Sequence, residues 1–91
     1  MDPIAIDEYV EVIAYYSLPG KGSDKLRFPR KMKYHGEEIL FKELNLRHPT
    51  KKGQRMIHVY DVSDGVNDYR LEFDAEAEVW KLCEITYGKS T

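Results

Sequence analysis

The sequence predicts a mainly β protein, a single small antiparallel meander curled into a partly open SH3-like or OB-like barrel. The alternative is an α+β fold with an N-terminal helix. Three observations carry the prediction. Short apolar stretches recur at a spacing of roughly ten residues, most alternate with period two, and Gly, Pro, Asn or Asp stands between them. A chain of 91 residues buries only about 60–70% of its unfolded surface, so residues 1–91 form one domain with one core. A hydrophobic content of 42% against 33% charged residues belongs to a folded domain, and a sheet this small must curl to bury one face.

The first strand is read from residues 8–16, EYVEVIAYY, where β-branched and aromatic residues are dense and Val10, Val12, Ala14 and Tyr16 share a side. A helix is the rival, with Asp2 as cap, Pro3 in the first turn and Ile6, Tyr9, Val10 and Ile13 at helical spacing. Leu18 to Asp24, LPGKGSD, is a loop. The second strand runs from Lys25 to Tyr34, with Leu26, Phe28, Met32 and Tyr34 on the apolar side. Pro29 cannot donate to a ladder, so this strand lies at a sheet edge or carries a bulge there. Arg30, falling on the apolar side, belongs at the rim or against a carboxylate.

His35-Gly36 turns the chain into a third strand over 37–46, EEILFKELNL, for which a short helix is the rival, and Arg47 to Gln54 is a polar loop. Met56 to Val62 is the fourth strand, Ser63-Asp64-Gly65 a hairpin turn, and Asp68 to Asp74 the fifth strand with Tyr69, Leu71 and Phe73 alternating. The last strand, Glu78 to Tyr87, carries Trp80 and Leu82, which makes six strands. The expected core is Val10, Val12, Leu26, Phe28, Met32, Ile39, Phe41, Tyr69, Leu71, Phe73, Trp80 and Leu82.

The layout Pro29-x-x-Met32-x-Tyr34-x-Gly36, followed by Tyr69-x-Leu71-x-Phe73 and Trp80-x-Leu82, resembles small bacterial β-meander or barrel domains of unknown function. In these a Pro, an aromatic-x-Gly turn and a late Trp recur. Some of those domains are encoded near DNA-repair polymerases, so the resemblance implies a link to nucleic-acid metabolism. It covers residues 25–87 and implies no particular functional residues; tyrosine stands here where relatives often have tryptophan before the Gly.

Charge is unevenly spread. Residues 1–20 carry −4, residues 21–55 carry +7 and residues 56–91 carry −5, within a formal net charge of −2. The basic third points to an anionic partner, nucleic acid first and an acidic protein second. Its candidate contacts are Lys25, Arg27, Lys31 and Lys33 on one strand face, with Arg47, Lys51, Lys52 and Arg55 in or beside the following loop. Parity turns Phe28 and Tyr34 into the core, which favours phosphate contacts over base stacking. The competing reading is a solvated face whose lysines protect an edge strand. An exposed edge of the Pro29 strand offers a second mode, binding a protein by strand addition.

Catalytic and metal signatures are weak. His35, His48 and His58 lack ligand spacing, and Asp61 to Asp68 puts Tyr60 and Val62 where a calcium loop needs oxygen ligands. No serine lies in a nucleophile elbow, and Pro19 to Ser23 lacks the Walker spacing. A non-enzymatic binding module without cofactor or metal is the expectation. Cys83, alone in the chain, reads as a small buried hydrophobe in a reducing compartment. No apolar run reaches the ~18 residues of a membrane span, and Met1 to Ile4 has no basic n-region, so a cytoplasmic location is expected.

Overall fold

Alternation between Ile4 and Ser17 is realised as one strand of 14 residues, β1 (Ile4–Ser17), because Val10, Val12 and Ala14 pack on the core while Tyr9, Ile13 and Tyr15 point outward. The computed structural model describes residues 2–17 and 26–88. Among these the chain continues as β2 (Leu26–Tyr34), β3 (Glu37–Leu40), β4 (Glu43–Lys52), β5 (Arg55–Ser63), β6 (Asp68–Asp74) and β7 (Val79–Thr86), with no helix. The strand reading of the N-terminal stretch therefore holds over its helical rival.

All seven strands form one antiparallel sheet in the order β3-β2-β1-β7-β6-β5-β4. The sheet is not closed. Its two edges, β3 and β4, are nevertheless consecutive in the chain, and the corner between them is tied to both sides. The Phe41 N–H donates to the Arg30 carbonyl at 2.8 Å and the Lys42 N–H to the Ser63 carbonyl at 2.7 Å. The sheet thereby curls into the expected partly open barrel. One end gathers the close of β1, β4 and β6 with the start of β2, β5 and β7; we call it the Arg27 end. The opposite end carries the His35-Gly36 turn, where both residues take positive φ (49° and 81°) as a tight hairpin demands.

The strand count differs from the sequence expectation of six. Residues 37–46 split at Phe41-Lys42, and 47–52, read as loop, belong to β4. The reason is position. As a sheet edge, β4 is exposed over most of its length, so it needs no alternation and tolerates Pro49, whose missing donor costs little there. Only Gly53-Gln54 is left as the turn to β5, with Gly53 at φ 65°.

The second correction concerns β2. Its register against β1 runs Glu11↔Lys33, Val12↔Met32, Ile13↔Lys31 and then Ala14↔Pro29, so Arg30 is an extra residue in a β-bulge. The bulge that Pro29 allowed is realised; β3 pairs only with residues 31–34, so Pro29 itself has β1 as its ladder partner on one side and no partner from β3 on the other. A bulge puts the alternation on its two sides out of phase, so the side chains before Arg30 lie on the opposite face from the one counted back from Met32. Arg27 therefore turns inward opposite Tyr16, and Phe28 turns outward opposite Tyr15. The expected shared face of Arg27, Lys31 and Lys33 does not exist, and Phe28 leaves the expected core. Arg30 is exposed and donates to the Phe41 carbonyl at 3.1 Å.

The core that remains is Met32, Phe41, Tyr60, Val62, Tyr69, Leu71, Phe73, Trp80, Leu82 and Ile85, with Val10, Val12 and Ile39 partly buried against it. Tyr60, Val62 and Ile85 were absent from the expected list. Ile57 and Val59 are buried on the outward face. Ile57 lies among Lys52, Arg55, Glu72 and Lys81, long side chains whose stems cover apolar surface while their charges stay in water.

Candidate nucleic-acid interface

At the Arg27 end the bulge brings a guanidinium against the aromatic floor of the barrel. Trp80 packs on Phe73 (ring centroids 4.8 Å apart) and on Tyr60 (5.3 Å). The Arg27 guanidinium lies 4.1 Å over the Phe73 ring and 5.5 Å from the Tyr16 ring, and it donates to the Tyr60 hydroxyl at 3.4 Å. Its buried Nε has no hydrogen-bond partner among the described residues. Burial works against the charge, and the hydroxyls of Tyr16 and Tyr60 more than offset it.

The edge strand β4 brings further cations to this end. Arg47 stands opposite Tyr60, Pro49 opposite His58 and Lys51 opposite Met56, and opposed residues of an antiparallel pair share a face. Arg47 and Lys51 thus lie on the face of Tyr60, both exposed. His58, half-buried between them, is held below the ordinary imidazole value, first by burial and then by Arg27 and Arg47. It is consequently neutral near pH 7. None of the ion pairs among the described residues involves Arg27, Arg47 or Lys51. Tyr16, 59% exposed, stands beside Arg27 as the available ring.

The other candidate cations are placed differently. Lys52 Nζ lies 2.8 Å from Glu72, and Arg55 lies 2.7 Å from Asp74 and 3.5 Å from Glu76. Lys31 and Lys33 are on the outward face of β2; Lys31 is 3.6 Å from Glu38, and Lys33 stands opposite Glu11 and Glu38 in the two flanking ladders. Lys25 lies outside the described residues. Of the eight candidates, the structure brings together Arg27, Arg47 and Lys51, and it adds Tyr16, His58 and Tyr60, which the sequence reading passed over. Alternation along β5 was the one signal for His58 and Tyr60, since both occupy the parity of Val62.

Elsewhere the polar groups are engaged in holding the fold. The Asp64 carboxylate accepts from the amides of Val66 and Asn67 at 2.8 and 2.7 Å and from the Tyr69 hydroxyl at 2.8 Å. Burial opposes its ionisation, but these bonds outweigh it and hold the carboxyl below the usual range. The turn beside it needs glycine, because Gly65 takes φ 99°. This turn borders a concavity of about 580 Å³ at the end opposite Arg27, whose Asp64 and Asn67 are taken up by bonds within the turn and to Gly88. No group of three His, Cys, Asp or Glu side chains among the described residues is arranged to hold a metal ion. The Cys83 thiol is half-buried, and burial with the Glu72 carboxylate pushes it up to about 12.

Compared with protein-family models, characterised proteins and solved structures, the chain matches none.

Proposed function

We propose that the domain is a non-enzymatic binding module that grips the phosphates of nucleic acid at the Arg27 end. The observation that supports this reading is the convergence of Arg27, Arg47 and Lys51 on one face, with no carboxylate among the described residues paired to any of them. Phosphate contacts of this kind give affinity without sequence readout. The exposed Tyr16 ring offers one stacking surface to an unpaired base, so single strands are the favoured ligand. The proposal takes the domain to work in the cytoplasm, where its unpaired Cys83 stays reduced. Strand addition, the second mode considered, would use the side of β2 before Lys31 that β3 does not cover, or one of the edges β3 and β4; β3 offers only four residues, and in β4 Pro49 removes a donor.

The test is fluorescence anisotropy with labelled single-stranded DNA, single-stranded RNA and duplex DNA from low to physiological salt. Three phosphate contacts on a single strand give a log–log salt slope of about −2. Arg47→Glu with Lys51→Glu should weaken binding at least tenfold, roughly the effect of reversing two phosphate contacts. Lys52→Glu with Arg55→Glu should change it little, since those cations are already neutralised. Equal losses from both pairs, or an affinity insensitive to salt, would overturn the reading.

A further inference from the structure

The outward face of β1 is unusual for an interior strand. β1 is flanked by β2 and β7, and in a half-wet antiparallel sheet the water side of such a strand is polar. Here Tyr9, Ile13 and Tyr15 point outward at 71%, 58% and 60% exposure. The ladders carry the apolar surface sideways: Phe28 stands opposite Tyr15, and the row Ile13↔Lys31↔Leu40 ends on Leu40 at 45% exposure. Exposed apolar groups gathered in this way mark an interaction surface.

We propose that this face, formed by β1, β2 and β3, binds a second copy of the chain as a two-fold dimer. The charges interleaved with the apolar groups select the occupant. Around Ile13, Lys31 and Lys33 alternate with Glu11 and Glu38 in the same ladders, two of each sign, so this centre of the patch is balanced in charge, with Lys81 beside Tyr9 at its margin. A polyanion meets as much repulsion as attraction there, and a partner of single sign gains nothing. A second copy turned by a two-fold axis sets Lys of one face against Glu of the other, and an isologous contact repeats every such pair twice. Shape agrees with charge. A hollow of about 300 Å³ lined by Glu11, Val12, Ile13, Lys31, Lys33 and Glu38 opens on this face, two residues along β1 from the exposed Tyr15, and would take an apolar side chain of the second copy. This goes beyond the nucleic-acid reading and uses a different surface, since Arg27 and Arg47 face the inner side of the sheet.

Sedimentation velocity over a broad concentration series tests it. The expected result is a shift from the 10.7 kDa monomer to twice that mass as concentration rises. Ile13→Asp should hold the protein monomeric with an unchanged circular dichroism spectrum, and oligonucleotide binding at the Arg27 end should survive. Lys33→Glu and Glu11→Lys should each weaken self-association at least tenfold, and an equimolar mixture of the two should restore it, because each supplies the sign that the other lacks. A single 10.7 kDa species at every concentration overturns the proposal, as does a dimer indifferent to Ile13→Asp. Amide shifts at Tyr9, Ile13 and Tyr15 that follow added oligonucleotide but not protein concentration would overturn it too, and would make the face a stacking platform.

Discussion

The Arg27 guanidinium lies 4.1 Å above the Phe73 ring, on the side of the sheet opposite to Lys31 and Lys33, its near neighbours on the same strand. A single extra residue, Arg30, separates the two faces. The consequence is that one cation of β2 closes the aromatic core while two others decorate the outer wall. A charged group in that position contributes a cation–π contact of about 0.5–2 kcal/mol, but its buried Nε, unpartnered among the described residues, sets a desolvation cost of similar size against it.

Replacing Arg27 by Met should therefore change stability by no more than about 1 kcal/mol, since the two effects nearly cancel and the stem still covers Phe73. Oligonucleotide affinity should fall at least tenfold if this cation meets a phosphate. Urea unfolding and anisotropy on the same preparation separate the outcomes. A large loss of stability would make Arg27 a structural group first.

His58 should make stability depend on pH. Its folded-state pKa lies below the unfolded value of about 6.5, so the unfolded chain binds the extra proton as pH falls through that value. Stability is fully present above about pH 6.5 and declines below it, down to the folded pKa. His58→Gln should flatten the urea midpoint between pH 7 and pH 5 relative to the parent protein. Arg47→Ala should raise the imidazole pKa measured by NMR, because one of the two cations that depress it is gone. An imidazole that titrates at its ordinary value in the folded protein would refute both expectations.

Much of the fold was legible because local signals agreed. Tyr69, Leu71 and Phe73 alternate, Asp64-Gly65 and His35-Gly36 are turns by composition, and a strand built on them has only one face to bury. Two things were not legible, for physical reasons. Pro29 signals that the ladder is disturbed, but not which strand absorbs the extra residue, so the face of Arg27 and Phe28 could not be counted from parity. β4 carries the composition of a loop because an edge strand is wet on most sides, and without it Arg47 and Lys51 had no face at all. Three of the eight candidate cations were brought together, then, by one bulge and one edge strand.

Asp64 is the anchor of the β5–β6 turn, accepting two backbone amides and the Tyr69 hydroxyl. Asp64→Ala should cost about 1–2 kcal/mol, the usual penalty for losing a side-chain cap of exposed amides. The carboxyl is depressed in the folded state, so its contribution is present above the unfolded value of about 3.9 and is lost as pH falls through the folded pKa. The difference in unfolding free energy between parent and variant should accordingly shrink below pH 4. A difference that stays constant down to pH 2 would show that the carboxylate charge has no part in holding the turn.

Cys83 should be among the slowest thiols to alkylate while the domain is folded. The thiolate is the reactive form, and burial together with the Glu72 carboxylate pushes the pKa up to about 12, against about 8.5 for a free cysteine. At pH 8 the ionised fraction should be smaller than in the unfolded chain by a factor on the order of 10³, so iodoacetamide should label the native protein far more slowly than the urea-unfolded one. Glu72→Gln removes a repelling charge and should speed native labelling, although it also frees Lys52, whose ammonium sits 2.8 Å from that carboxylate and would then favour the thiolate. Both changes act in the same direction. Native labelling as fast as that of the unfolded chain would mean that the thiol is not held beside Glu72 at all, and that β7 opens around it.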